Sequence, residues 1–263
     1  MTPLKGRLAL VTGATSGFGL AIARRFAAEG ARVVVTGRRE DRLRSIAREL
    51  SAKHGVPVTP LVFDVRDRAA VEAALLGQRD LLTSLDVVVN NAGLAAGLDP
   101  VQSADPDDWD RMIDTNVKGL LWVTRAVLPG MIERRRGDVV NIGSVAGHQA
   151  YGGGSVYAAT KFAVRAISEA LRYDVLGTGV RVTNVAPGLA ETEFSLVRFK
   201  GDEARAQSVY RGVRALTGDD VADAVAWAVT RPPHVNVQEI LLMPTDQASV
   251  YALHRREPAE PAR

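Results

Sequence analysis

Arg7-Leu8-Ala9-Leu10-Val11-Thr12-Gly13-Ala14-Thr15-Ser16-Gly17-Phe18-Gly19 reads as a buried strand that breaks into a glycine-rich turn. A helix follows from about Phe18 to Glu29, and Gly30 suits the turn past its end. The glycines fall in a G-x-x-x-G-x-G spacing rather than the commoner G-x-G-x-x-G. The physical logic is the same for both. Glycines permit the tight turn and a close backbone approach, and the N–H groups that open the helix face an anion such as a pyrophosphate. Ala14, Thr15, Ser16 and Phe18 lie between the glycines and belong to the same expected cradle. A strand, phosphate loop and helix at the chain start predict an α/β fold. We expect one doubly wound parallel sheet of Rossmann type, about seven strands, with helices on both faces.

Outward from that loop the alternation of strand and helix patterns continues almost to the end without a linker. Residues 1–250 therefore read as a single dinucleotide-binding catalytic domain. The second strand, Arg32 to Thr36, runs into Thr36-Gly37-Arg38-Arg39-Glu40-Asp41. A site for the unphosphorylated dinucleotide usually places an acid here for the ribose 2′-hydroxyl. Gly37, Arg38 and Arg39 stand there instead, and two guanidiniums can hold a 2′-phosphate, which predicts NADP rather than NAD. Asp64-Val65 ends the third strand. Asp64 is either an N-cap for the next helix or an acceptor for an adenine amino group. Asn90-Asn91-Ala92-Gly93 ends the fourth strand on the sheet edge where open α/β sheets bind ligands.

The composition narrows the function classes. In 263 residues, 33 Lys and Arg against 30 Asp and Glu leave a net charge of +3. The two signs are interspersed, which argues against a nucleic-acid surface. The densest basic run, Glu133 to Gly137, sits where a helix should end and complements its dipole. Cysteine is absent, which excludes disulfides and thiolate metal sites and fits a reducing compartment. His54, His148, His234 and His254 match no metal-ligand spacing, so no metal is expected. No apolar run reaches membrane-spanning length and the first residues lack a signal-peptide core. The expected location is the cytoplasm.

In the second half, the helix after Pro106 carries Trp109, Met112, Ile113, Val117, Leu120, Leu121 and Val123, spaced for burial on one side. Asn116 sits within that stripe, and a buried asparagine is either a structural bridge or part of a polar network. The fifth strand, Asp138 to Ile142, delivers Ser144. A crossing at Gly152-Gly153-Gly154 then leads to Tyr157 and Lys161, one helical turn apart on one face. A hydroxyl, a phenol and a cation that converge are proton-transfer equipment. Pro187-Gly188-Leu189-Ala190-Glu191-Thr192 follows the sixth strand on the same side. A polar segment near 190–215 reads as a lid, and residues 251–263 as a flexible tail.

Taken together, the T-G-x-x-x-G-x-G loop, Asn90 to Gly93, a helical asparagine, Ser144, Y-x-x-x-K and P-G-x-x-x-T resemble the short-chain dehydrogenase/reductase family. The resemblance covers roughly residues 5 to 245. Segments such as Met112-Ile113-Asp114-Thr115-Asn116 and Glu193-Phe194-Ser195 through Asp202 are similar to its NADP-dependent 3-hydroxy acid dehydrogenases, which act on serine, L-allo-threonine or 3-hydroxypropionate. The resemblance implies that Tyr157 is the acid/base, its pKa lowered by Lys161 and the oxidised nicotinamide. It implies that Ser144 positions the substrate oxygen, that Lys161 holds the ribose hydroxyls, and that Asn116 binds a water linking Lys161 to solvent. By the same resemblance, Gly13 to Gly19, Arg38, Arg39, Asp64, Val65 and Asn90 to Gly93 would hold the adenine side, and Pro187, Gly188, Leu189 and Thr192 would hold the nicotinamide. A homotetramer or dimer is also implied.

A 3-hydroxy acid is an anion, and Arg198 and then Lys200 are the cations expected to meet its carboxylate, unless they merely solvate the lid. Leu241-Leu242-Met243-Pro244-Thr245-Asp246 stands where carrier-protein-linked oxoacyl reductases of the family commonly have an aspartate-glycine-glycine turn. That argues against an oxoacyl thioester. Reduction of other carbonyls, such as oxoacyl thioesters, pterins or specialised metabolites, and a non-catalytic NADP-binding regulator are the alternatives.

Overall fold

The computed structural model describes residues 3–256. Its elements, in order, are β1 (Leu8–Val11), α1 (Gly17–Ala28), β2 (Arg32–Gly37), α2 (Glu40–His54), β3 (Val58–Val62), α3 (Arg68–Leu76), α4 (Arg79–Ser84) and β4 (Val87–Asn90). Then come α5 (Pro106–Ile113), α6 (Leu120–Glu133), β5 (Gly137–Ile142), α7 (Ser155–Asp174), β6 (Val180–Pro187), α8 (Phe194–Arg198), α9 (Glu203–Ser208), α10 (Gly218–Val229) and β7 (Glu239–Leu242). The strands form one seven-stranded sheet in the order β3-β2-β1-β4-β5-β6-β7, and every pairing is parallel. The order reverses between β1 and β4, so the crevice for a ligand opens beyond their carboxyl ends.

Strand alternation decides which core each side chain joins. On β1, Ala9 and Val11 face α1, α2 and α10, where Ile22, Phe26, Leu43 and Val225 are buried with them. Leu8 and Leu10 face the other layer, with Leu75, Val123, Val127, Met131 and Leu171. The sheet is thus covered on both faces, as continuous apolar strands require. At its base, buried Asp138 of β5 binds the Arg7 and Arg181 guanidiniums. The basic run at 134–136 is structural. Arg134 donates to the carbonyls of Leu82 and Leu85, Arg135 to that of Gly177, and Arg136 pairs with buried Asp86.

Two expectations meet a different structure. The helix after Pro106 is not continuous, because residues Asp114–Gly119 form a π-helical turn between α5 and α6. One extra residue in that turn rotates the apolar stripe, so Met112, Leu120 and Val123 are buried while Ile113 and Leu121 are exposed. The segment at 251–256, expected to begin a loose tail, packs back on the body. His254 N–H donates to the Asp246 carbonyl, Arg255 to the carbonyls of Val209 and Arg211, and Arg256 pairs with Asp246. Residues 257–263 lie outside the described residues. Among the described residues no helix is long and apolar enough to cross a membrane, and no cluster of His, Cys, Asp or Glu is arranged for a metal.

Candidate active site

The loop between β1 and α1 forms one wall of a cleft of about 530 Å3 at the carboxyl edge of the sheet. Its glycines do separate work. Gly13 and Gly17 adopt positive φ, +65° and +52°, which L side chains rarely tolerate. Gly19 is needed for closeness, since a Cβ there would overlap the Gly13 carbonyl oxygen and the Asn91 amide. Ser16 caps α1 without a side-chain bond, and no acid stands in the first turn. The N–H groups opening this helix are therefore available to an anion. The Thr12 hydroxyl accepts from the backbone N–H groups of Asn91 and Ala92, at 3.0 Å each, and so braces the segment after β4 against the loop.

Neighbouring residues on this wall do not share one role. Ala14 is fully buried and donates its N–H to the Thr36 carbonyl, so its contribution is to the loop's shape. Asn91, Ala92 and Gly93 line the cleft, but Asn90 does not. The Asn90 amide donates to Thr124 and Asn141 in the interior. Strand alternation turns adjacent residues to opposite faces, which is why the expected run from Asn90 splits after its first member.

At the end of the cleft beside the β1–α1 loop, Arg39 donates to the hydroxyls of Thr15 and Ser16 and to the Glu193 carboxylate. Arg42, on α2, donates to the other Glu193 oxygen at 2.8 Å. Arg38 is exposed and lies 3.7 Å from Asp64. Burial raises the Asp64 pKa, but bonds from Arg66 and the charges of Arg66 and Arg38 outweigh it and hold the carboxyl below its ordinary range. Asp64 lines the cleft beside Val65 and is not the cap of α3. That cap is Asp67, whose side chain accepts from Ala70 N–H.

Ser144, Tyr157 and Lys161, the residues expected to move the proton, converge at the other end. Ser144 is the N-cap of a single 3-10 turn, its Oγ accepting from Ala146 N–H and donating to the Pro187 carbonyl at 3.4 Å. Tyr157 and Lys161 occupy the first two turns of α7, and both are buried. Burial pushes the Tyr157 phenol up to about 12, against smaller downward influences from the Ser144 hydrogen bond and the Arg198 charge. Burial lowers the Lys161 ammonium to about 8. Its Nζ donates to the Ile142 carbonyl at 2.8 Å and stands 5.9 Å from the Tyr157 ring centroid. In the chain alone, then, desolvation outweighs any lowering of the phenol by Lys161.

Asn116 sits in the π-helical turn and does not line the cleft. It grips the backbone of Leu94 through both N–H and carbonyl, at 2.8 Å each, and donates to Thr160 on α7 at 3.0 Å. Both of its N–H groups are thereby committed, which leaves one lone pair on Oδ1.

Of the two cations expected to meet a substrate, the structure brings only Arg198 to the cleft. Its guanidinium lies 5.2 Å from the Tyr157 ring centroid and donates to the Gly97 carbonyl and the Tyr151 hydroxyl. Lys200, just past the end of α8, pairs with Asp105 and Asp108 outside the cleft. The turn at its own positive φ of 53° carries it away. Pro187, Gly188, Leu189 and Thr192 line the cleft as expected. Sequence reasoning missed Tyr151, Phe194, Glu193 and Gln247. Phe194 packs on Tyr157 with ring centroids 5.6 Å apart, and Gln247 accepts from Leu189 N–H at 2.7 Å. Tyr151 lies in sequence between Ser144 and Tyr157, a usable signal. Gln247 belongs to a segment far along the chain that gave none.

Comparison with known proteins gives a consistent picture. A family model described as short chain dehydrogenase matches residues 7–202. The NADP-dependent 3-hydroxy acid dehydrogenase of Salmonella typhi is 51% identical over 242 residues, 92% of this chain and 96% of that protein. Sulfoacetaldehyde reductase 2 of Chromohalobacter salexigens is 50% identical over 250 residues, 94% of this chain and 98% of that protein. The closed form of a serine dehydrogenase complexed with NADP+ superposes with a TM-score of 0.88 at 49% identity, covering 95% of this chain and all of that one.

Proposed function

We propose that this chain, which belongs to the short-chain dehydrogenase family, transfers hydride between NADP(H) and a short 3-hydroxy acid or its oxo or semialdehyde form. The observation that carries the substrate half is the Arg198 guanidinium, poised over the Tyr157 ring in the same cleft as Ser144. A cation beside the proton donor selects a small carbonyl compound whose other end is an anion. Both named relatives fit that description: one acts on 3-hydroxy acids, and the other on a sulfonated aldehyde. A sulfonate end group is therefore a second reading of the same site.

The residues present fit NADP. The uncapped first turn of α1 and the close backbone at Gly13 and Gly19 suit a pyrophosphate. Arg39 with the hydroxyls of Thr15 and Ser16, and Arg38 beside them, suits a 2′-phosphate. Asp64, Val65 and Asn91 to Gly93 line the part of the cleft that would take the adenosine half, and Pro187, Gly188, Leu189, Ala190 and Thr192 the part that would take the nicotinamide half. Bound there, NADP supplies hydride acceptance and delivery.

The chain's own groups handle the proton and the substrate's position. With its pKa near 12, the Tyr157 phenol keeps its proton at neutral pH and is ready to donate it to a carbonyl oxygen as that oxygen gains charge. The Ser144 hydroxyl gives its hydrogen to a long 3.4 Å bond and also lies within hydrogen-bond reach of the Tyr157 phenol, so it can turn to the same oxygen at little loss. Lys161 is held by Ile142 where it can take ribose hydroxyls, and Asn116 positions α7 through Thr160. Turnover should be measured with both nicotinamide cofactors against serine, allo-threonine, 3-hydroxypropionate, a hydroxyalkyl sulfonate and neutral alcohols. Tyr157→Phe should reduce turnover by at least ~100-fold with cofactor binding intact. Full turnover in that variant removes the mechanism.

Self-association is part of the proposal, supported by the exposed apolar side chains Ile113, Leu121 and Phe162 on neighbouring helices. Light scattering checks it. A cytoplasmic location is likewise proposed, supported by a cysteine-free chain.

A further inference from the structure

Glu193 has no role in the reaction just described, yet three side chains, Arg39, Arg42 and Ser16, converge on its carboxylate. One carboxylate oxygen accepts from Arg39 at 3.3 and 3.4 Å, and the other from Arg42 at 2.8 Å. The Ser16 hydroxyl bonds it as well. The Arg39 guanidinium that reaches Glu193 also reaches Thr15 and Ser16, at the mouth of the phosphate loop. Two guanidiniums and a hydroxyl gathered around one small anion make an anion site, and a residue of the chain fills it.

Glu193 also stands at the head of α8, directly after Thr192 and directly before Phe194. Phe194 packs on Tyr157, and Arg198 at the far end of α8 lies over the same ring. The carboxylate therefore fastens the lid to the adenine end of the cleft, while Arg198 fastens it to the reacting end.

We propose that Glu193 is a stand-in for the cofactor's 2′-phosphate: carboxylate and phosphate compete for Arg39 and Arg42, so that the adenine half of the cofactor releases one end of the lid as it binds. The inference rests on the NADP reading above. Shared donors make the two anions alternatives rather than companions. A phosphate monoester carries close to two negative charges at neutral pH and accepts through several oxygens, so it draws on the same Arg39 and Arg42 N–H groups. With the Glu193 carboxylate kept between them, those groups stay committed to it. The exchange is easy because Glu193 and both arginines are 40–48% exposed, and exposed ion pairs contribute little each. Glu193 thus works against cofactor affinity and ties lid movement to the one group that distinguishes NADP from NAD.

The test uses the full-length protein and two fragments that lack the nicotinamide, adenosine 2′,5′-bisphosphate and adenosine 5′-monophosphate, titrated by calorimetry. Wild type should prefer the bisphosphate. Glu193→Gln should bind the bisphosphate roughly tenfold tighter, the scale of one charge acting on a dianion at close range, and leave the monophosphate unchanged. Hydrogen exchange of the amides at 193–201 in wild type should rise with the bisphosphate and not with the monophosphate. Unchanged bisphosphate binding by Glu193→Gln overturns the competition. Weaker binding overturns it too, and makes Glu193 the residue that orients the arginines for the phosphate. If wild type itself shows no preference for the bisphosphate, the NADP reading fails and this inference goes with it.

Discussion

Replacing Lys161 by methionine should make the folded chain more stable at neutral pH while destroying its activity. Lys161 is 7% exposed, and burial lowers its ammonium from 10.5 to about 8. Near ~1.4 kcal/mol for each tenfold change in proton affinity, that drop corresponds to ~3 kcal/mol of unfavourable charge burial at pH 7. Methionine removes the charge with similar bulk. It also gives up the bond from the ammonium to the Ile142 carbonyl, worth ~2 kcal/mol for a charged donor. The net expectation is a gain of ~1 kcal/mol at pH 7. The pH dependence carries a second signature. The folded chain holds this proton less tightly than the unfolded chain does, so between pH 8 and 10.5 the unfolded state binds more protons and wild-type stability from this group rises with pH. Lys161→Met lacks that rise. Urea denaturation of both proteins at pH 7 and pH 10 reads the difference of differences, in which groups common to both cancel. A variant less stable at pH 7, or a gap that does not shrink by pH 10, refutes the reasoning.

Arg198→Gln should raise the Michaelis constant for carboxylate substrates ten- to a hundredfold, from a lost charge-assisted hydrogen bond of ~1.5–3 kcal/mol, and spare neutral carbonyls. Equal effects on both classes in steady-state kinetics sink the assignment of Arg198 to the anionic end. Gly19→Ala pushes a methyl into the Gly13 carbonyl and the Asn91 amide. It should destabilise the fold by ~1–3 kcal/mol and weaken NADPH binding, read by fluorescence titration; wild-type affinity counts against the close-approach argument. Asn116→Ala strands the Leu94 N–H and carbonyl in the interior. It should lower stability by ~2–3 kcal/mol in thermal or chemical unfolding, and a loss under ~0.5 kcal/mol means that Asn116 is not the clasp described.

The architecture was legible because it is written in local signals: short apolar runs, helix-ending glycines, and a phosphate loop between strand and helix. The misreadings share one cause, which is that direction in space is not a property of sequence position. Asn90 and Asn91 are adjacent, but alternation points one into the interior and the other toward the cleft. Arg198 and Lys200 are two residues apart, but α8 ends between them and a positive φ sends Lys200 to Asp105 and Asp108. The stripe from Trp109 to Val123 reads as one continuous helix, because a single inserted residue in a π-helical turn leaves no mark in composition. Glu193 was invisible as a site residue since its partners, Arg39 and Arg42, lie more than 150 positions away.

The placement of the proton-transfer groups follows from how α7 is fastened rather than from those groups themselves. A helix lying on a sheet through apolar contacts can slide, and such contacts have no directional preference strong enough to stop it. Two polar bridges remove that freedom. Near its start, Thr160 accepts from Asn116, which is clamped to the Leu94 backbone. Two turns further on, Ser168 accepts from Asn141 of β5, and Asn141 accepts in turn from Asn90 of β4. Asn90 and Asn141 face each other across the strand register, so this second bridge measures the height of α7 against two strands at once. Tyr157 and Lys161 lie just N-terminal to and between these points. Their buried, individually unfavourable positions are therefore held by hydrogen bonds that a shifted helix would forfeit, each at the penalty of an unsatisfied buried group. The same β5 whose asparagine anchors the helix ends at Ile142, whose carbonyl holds Lys161, and two residues later delivers Ser144. One strand thus sets the positions of hydroxyl, phenol and ammonium together, which is why a short sequence stretch brings all three to one cleft.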